Sequence, residues 1–182
     1  MYRGYGKIFW GISIVTFNIK FGTIKILPAF AGFILISMGL KVIYEETKLE
    51  SFQKPYKIGI LVTIMSFIGG VIDYFSYNPL NIPIPMSIWN IMYSLVELIL
   101  FFNILESSIK YLNLNNYLEL ANENIKRLRI YTIFSIINIT LMSFALLFNF
   151  YVLLSVVACI AIILRMFLMI LINRLKKFFI VA

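Results

Sequence analysis

The sequence predicts an all-α fold: a polytopic bundle of transmembrane helices in a single integral membrane domain, residues 1–182. Of the 182 residues, 62% are hydrophobic and only 13% are charged, and the mean hydropathy is +0.94. A soluble domain has about 45–50% apolar and about 25% charged residues. Hydrophobic runs also recur along the whole chain, which leaves no stretch for a separate soluble domain.

The hydrophobic runs predict about six membrane spans. They cover residues 7–21, 28–44, 58–74, 85–105, 130–147 and 151–173. The first is the shortest, because only twelve residues separate Lys7 from Lys20. That is about 18 Å of helix against a hydrocarbon core of about 30 Å. We therefore expect a short helix whose lysines extend to the interface, or a re-entrant segment.

The second and third spans carry small and polar residues on one face. After the break at Pro28, a narrow face formed by Gly32 and Gly39 favours close packing of the second span against another helix. The third span ends in Asp73, the only aspartate in the chain. We expect Asp73 to be an interfacial acid or, alternatively, to stand at the outer mouth of a polar cavity.

The fourth span, 85–105, is long enough to cross a bilayer yet carries Glu97 near its middle. Asn90, Ser94 and Glu97 fall on one stripe of a helix with 3.6 residues per turn. The sixth span similarly carries Arg165, about 12 Å from its basic end. Ionisable residues at such depths are rare and usually face the interior of a helix bundle.

The polar stretch 116–129 predicts a cytoplasmic amphipathic segment between the fourth and fifth spans. Asn116 and Glu119 have the spacing of an N-terminal capping pair, and apolar residues then recur at helical spacing. We expect this helix to lie at the membrane surface and lead into the fifth span. A tight, uncharged turn at 148–151 then precedes the sixth span.

The basic residues predict that both termini are cytoplasmic. With six crossings, thirteen of the 16 Lys and Arg residues are cytoplasmic, Lys20 and Lys25 are outside, and Arg165 is within the membrane. If the first segment does not cross the membrane, Arg3 and Lys7 are also outside, and the excess of basic residues on the cytoplasmic side is smaller. The positive-inside rule favours six crossings. It also accounts for the net charge of +8 without a nucleic-acid partner, so the lipid bilayer is the expected environment.

Two main interpretations of the intramembrane charges remain open, and a third is that the two residues make no contact. In the structural one, Glu97 and Arg165 form a salt bridge that holds two helices in register, beside Asn90 and Asn138. In the functional one, they line a polar cavity that binds a small solute, an ion or a lipid headgroup. The candidate substrate-binding residues are Glu97, Arg165, Asn90, Ser94, Asn138 and Asp73.

The composition excludes several kinds of catalytic chemistry. The chain has no histidine, one aspartate and one cysteine, Cys159, so a Ser-His nucleophile, a His-containing zinc site and a pair of aspartates sharing a proton are ruled out. No Gly-rich phosphate-binding loop of the GxxxxGKS type occurs. We therefore expect no catalytic residues, no metal ligands and no cofactor, and the hypothesis of an enzyme is the weakest.

The stretch FGTIKILPAFAGFILISMGL, mainly through Ile26-Leu27-Pro28, Gly32 and Gly39-Leu40, resembles the N-terminal region of small polytopic membrane proteins of low-GC Gram-positive bacteria. That group has no established activity to carry over. By its size and six-span layout, the chain also resembles the substrate-binding subunits of energy-coupling transporters. These resemblances imply a multi-pass protein of the bacterial plasma membrane, and the second implies a transport-related role.

The sequence thus favours a binding or transport-related membrane protein for a small solute or lipid, with Glu97 and Arg165 at the site. The alternative is a non-catalytic accessory or scaffold protein in which these charges are purely structural. In that case the segment 116–129 docks a cytoplasmic protein partner.

Overall fold

The computed structural model describes the backbone of residues 1–17, 20–21, 24–25, 28–75 and 84–181, and side chains except those at 18–27, 73–84 and 180–182. The described residues form six α-helices: α1 (Tyr2–Phe17), α2 (Ala29–Thr47), α3 (Gln53–Phe75), α4 (Ile84–Leu114), α5 (Leu118–Leu147) and α6 (Tyr151–Val181). Two two-residue strands, β1 (Lys20–Phe21) and β2 (Ile24–Lys25), pair antiparallel after α1. A 3-10 turn, Glu50–Phe52, precedes α3. The predicted all-α class is confirmed.

Four helices are long and apolar enough to cross a membrane. The qualifying stretches among the described residues are Glu50–Ile72, Pro85–Leu114, Leu118–Leu147 and Tyr151–Phe179. A 30-residue helix is about 45 Å long, more than the hydrocarbon core of about 30 Å. Large apolar side chains cover the outward faces of these helices; Phe67, Ile133 and Ile163 are all at least half exposed. Such a surface is suited to contact with lipid.

The helices form a closed ring in the order of the sequence. Each helix packs against the next along the chain, and α6 packs against α1. Helices α1 and α6 run in opposite directions, since Tyr5 stacks on Phe179 while Val15 contacts Arg165 further along. Side chains of α1 also reach α4 across the ring, where the Tyr5 hydroxyl donates a hydrogen bond of 2.7 Å to Ser108 Oγ.

Glycines bring the backbones of α1 and α2 into direct contact. A Cβ atom at Gly11 would lie 2.6 Å from the carbonyl oxygen of Gly32, and a Cβ at Gly32 would lie 2.6 Å from that of Gly11. Gly4 and Gly39 face each other in the same reciprocal way, with distances of 2.8 and 2.6 Å. The predicted close-packing face of Gly32 and Gly39 is therefore confirmed. Its partner is a matching pair of glycines on α1.

The structure contains the predicted helix that leads into the fifth span but corrects how that helix begins. Residues 118–129 are the first turns of α5, continuous with the predicted fifth span. Asn116 does not cap this helix: it has a left-handed φ of 62°, and the N–H of the next residue, Tyr117, donates to the carbonyl of Leu112 at the end of α4. This is a helix C-terminus arrangement that favours asparagine or glycine. The segment packs into the bundle through buried Ala121 and Leu128.

Candidate functional site

Glu97 of α4 and Arg165 of α6 form a bidentate ion pair inside the ring. Arg165 Nε donates to Glu97 Oε1 at 3.0 Å, and Nη2 donates to Oε2 at 2.8 Å. Glu97 is buried, with 8% of its surface exposed. Two parallel charge-assisted bonds from a guanidinium to a carboxylate give both energy and a fixed geometry. Glu97 and Arg165, which the sequence placed at similar depths in two predicted spans, are therefore in direct contact.

Arg165 also contacts the end of α1. Its Nη1 donates to the carbonyl oxygen of Val15 at 3.4 Å. Val15 lies in the last turn of α1, where carbonyl groups lack partners within the helix and the helix dipole is negative. Arg165 thus joins α6, α4 and α1 through one side chain. The sequence could not identify this acceptor, because every residue has a backbone carbonyl and the residue type does not show which one is used.

A cavity of about 350 Å³ lies between α4, α5 and α6, with the ion pair at one end. Five of the six predicted site residues line it: Asn90, Ser94, Glu97, Asn138 and Arg165. The sixth, Asp73, has a side chain outside the described residues. The polar residues that the sequence distributed over three spans are therefore gathered around one space.

α1 ends near the polar end of the cavity. In the half of the ring that contains α1, its buried residues Tyr5, Ile8 and Ile12 fill the interior. α1 ends at Phe17, close to the depth of Arg165, whereas α4 and α6 continue for about 20 Å beyond the ion pair. α6 presents Ala158 and Ala161 to the cavity. The α6 side of the cavity therefore includes two small side chains among its apolar ones.

Three further polar residues line the cavity that sequence reasoning did not single out: Tyr93 on α4, and Tyr131 and Ser135 on α5. Tyr131 and Ser135 are buried, and their hydroxyl groups interact with each other. Tyr93 interacts with Ser66 of α3. A signal was present in the sequence, because Tyr131, Ser135 and Asn138 lie at positions i, i+4 and i+7 and so share one helix face.

One fully buried polar atom of a cavity-lining residue has no hydrogen-bond partner among the described residues. Asn138 is 7% exposed, and its Oδ1 has no hydrogen-bond partner among the described residues. Leaving a buried acceptor unpaired costs about 1–3 kcal/mol. By contrast, Ser94 Oγ on α4 donates a hydrogen bond of 2.9 Å to the main-chain carbonyl oxygen of Asn90. Asn138 is therefore a lining residue with a buried acceptor that a bound molecule could satisfy.

The arrangement combines an apolar wall with a polar one. α6 contributes only apolar side chains until Arg165, whereas α4 and α5 contribute amides and hydroxyls. In the described part of the chain, no three His, Cys, Asp or Glu residues come together as metal ligands. Such a cavity can hold a small molecule by hydrogen bonds and apolar contact.

No protein-family model, curated protein or solved structure matches this chain.

Proposed function

We propose that the protein is an integral membrane protein that binds a small solute or a lipid-derived molecule in the cavity between α4, α5 and α6, in a transport-related role. The observation that carries the proposal is the unpaired, buried Oδ1 of Asn138 in the wall of that cavity. Native proteins pair nearly all their buried polar groups. A ligand with a complementary donor would satisfy this one.

The size of the cavity limits what it can hold. Ligand pockets are generally about 300–1,000 Å³, so a cavity of about 350 Å³ is at the small end of that range. It suits a single small ring system or a short chain. A two-chain lipid would insert only one part of itself.

We propose further that the chain lies in a bacterial plasma membrane, with about six spans and both termini on the cytoplasmic side. The closed ring supports this arrangement, because its sixth helix packs antiparallel to its first. Lys176 lies over the ring of Tyr2, 5.1 Å from Nζ to the ring centroid, so the basic residues near both termini are at the same end. In this arrangement α1 begins the short first span.

Native mass spectrometry of protein extracted gently from its own membrane tests the binding function. We expect a reproducible small-molecule adduct on the wild-type chain, reduced at least tenfold in Ala161→Phe, because the phenyl ring would fill the cavity. Val152→Phe is the matched control: it places a phenyl group on the same helix at a position that is 82% exposed, and the adduct should persist. A wild-type chain with no adduct, or an Ala161→Phe chain that retains it, would contradict the proposal.

A second candidate function is that of a non-catalytic scaffold with purely structural charges. It is favoured by exposed apolar side chains where α4 meets α5: Leu114 is 60% exposed and Leu118 is 59% exposed. In the proposed topology this end is cytoplasmic, where such side chains would contact water unless a partner protein covers them.

For the scaffold, we expect the double change Leu118→Ser and Ile125→Ser to release a co-purifying cytoplasmic protein without lowering the melting temperature. Both side chains are more than a third exposed, so their removal disturbs little of the bundle. Asn122→Ser, at an exposed polar position between them, should retain the partner. Co-purification and melting curves of the three chains would check this. An unchanged set of co-purifying proteins in the double variant would exclude docking at this surface.

A further inference from the structure

The charges around the cavity restrict the charge of its ligand. Glu97 and Arg165 are the ionisable acid and base in its lining, and they are bonded to each other through both carboxylate oxygens. Their charges therefore cancel locally. A charged ligand would have to remain without a counter-charge in the cavity or separate this pair, and both are costly.

The unsatisfied atom restricts the polar group of the ligand. Asn138 Oδ1 is an acceptor and so needs a donor. The terminal torsion of an asparagine side chain is broad, so rotation about it can turn Oδ1 of this lining residue toward the cavity. A hydroxyl group is well suited here, because it donates one hydrogen bond and can accept others from neighbouring Ser135 or Tyr131.

The walls restrict the rest of the molecule. Along α6 the lining is hydrocarbon, through Leu154, Val157 and Leu164, and on α5 it includes Ile139 and Leu146. These side chains offer contact area but no hydrogen bonds. The bound molecule must therefore carry an apolar body beside its polar group.

We infer that the cavity selects electrically neutral molecules with a compact apolar body and one hydroxyl group. The juxtaposition of a self-compensated ion pair, an unpaired asparagine oxygen and a hydrocarbon wall assigns this class. The inference rests on the proposed binding function and narrows it to a ligand chemistry.

Three probes of one shape test the inference: 1-naphthol, 1-methoxynaphthalene and 1-naphthoate, titrated against the purified full-length chain. Stoichiometry is read by native mass spectrometry, and affinity by the saturable shift in melting temperature. We expect 1-naphthol to bind one to one and the methyl ether to bind about tenfold more weakly, because it has no donor for Asn138. 1-Naphthoate should give no saturable shift.

Two asparagine variants test whether Asn138 causes the preference for 1-naphthol over its methyl ether. Asn138→Leu should bind 1-naphthol and its methyl ether equally, because the acceptor is gone. Asn124→Leu is the matched control, since Asn124 is a buried asparagine on the same helix but does not line the cavity. It should keep the tenfold preference for 1-naphthol.

The relative affinities of the three probes for the wild-type chain test the ligand class even if a variant fails to fold. Equal binding of 1-naphthol and its ether, or tighter binding of 1-naphthoate, would overturn the ligand class while leaving the binding function in place. A preference for 1-naphthol that persists in Asn138→Leu would overturn the role of that residue. No saturable binding of any probe would overturn the ligand class and count against the cavity as a binding site.

Discussion

Replacing Glu97 with leucine should lower the free energy of unfolding by about 3–5 kcal/mol, the usual cost of removing one partner from a buried ion pair. The variant leaves Arg165 without its two charge-assisted hydrogen bonds. A guanidinium group cannot shed its proton to escape the penalty. Arg165→Leu should cost less, because a lone carboxylate can be neutralised by taking up a proton. Unfolding of the purified chains in one detergent would measure both.

The double variant Glu97→Leu with Arg165→Leu should recover most of the lost stability, because replacing a buried pair with apolar residues is often neutral or stabilising. Arg174→Leu is a suitable control: Arg174 pairs with Glu123 between α5 and α6, but both side chains are about half exposed. We expect it to change the free energy of unfolding by less than about 1 kcal/mol. A double variant as unstable as Glu97→Leu would show that compensation of charge is not what holds the two helices together.

The second large effect is expected at the contact between α1 and α2. Gly11→Ala should destabilise the protein by about 1–3 kcal/mol, the usual cost of overpacking. Its new Cβ atom would lie 2.6 Å from the carbonyl oxygen of Gly32. Backbone atoms cannot move aside as a flexible side chain can, so the two helices would have to separate.

Gly6→Ala is the matched control for this prediction. Gly6 lies on the same helix, but the nearest described atom to its Cβ would be Lys176 Cε, at an ordinary 3.8 Å. Replacing glycine with alanine inside a helix generally stabilises it by about 0.5–1 kcal/mol, and we expect that sign here. The measurement is the melting temperature of both variants beside the wild type. If Gly11→Ala were as stable as Gly6→Ala, the two helix backbones would not be in contact.

The two predictions are physically connected. The glycine contact holds α1 against α2, and the end of α1 supplies the Val15 carbonyl to Arg165. The position of α1 therefore helps to determine where the guanidinium lies, and with it the polar end of the cavity.

Much of the helical arrangement could be predicted because burial in lipid leaves a direct record in composition. The predicted start of the sixth span at residue 151 coincides with the start of α6. The helices extend beyond two of the predicted spans: α4 continues to Leu114 and α6 to Val181. Hydropathy reports where lipid contact ends, whereas a helix can continue into water as long as its backbone bonds and packing persist.

The candidate site was predictable to the extent that it depends on charge. A carboxylate and a guanidinium at similar depth are strongly favoured to pair in a medium of low dielectric, and Glu97 and Arg165 do so. Asn116 shows the opposite case. Its spacing to Glu119 matches a capping pair, but the same asparagine also suits a left-handed position at the end of the preceding helix. Only the path of the chain decides between them.

By itself, the sequence determined that this is an α-helical protein with helices long and apolar enough to cross a membrane, and it predicted that Glu97 and Arg165 lie at similar depths. Both follow because hydrophobic length and charge dominate the energetics of insertion. The tertiary structure alone decided that Asn90, Ser94, Asn138, Tyr131 and Ser135 surround one space. That outcome depends on the packing order of the helices, which brings α4, α5 and α6 together. Packing order is not a property of any single segment, so only the packed structure reveals the cavity.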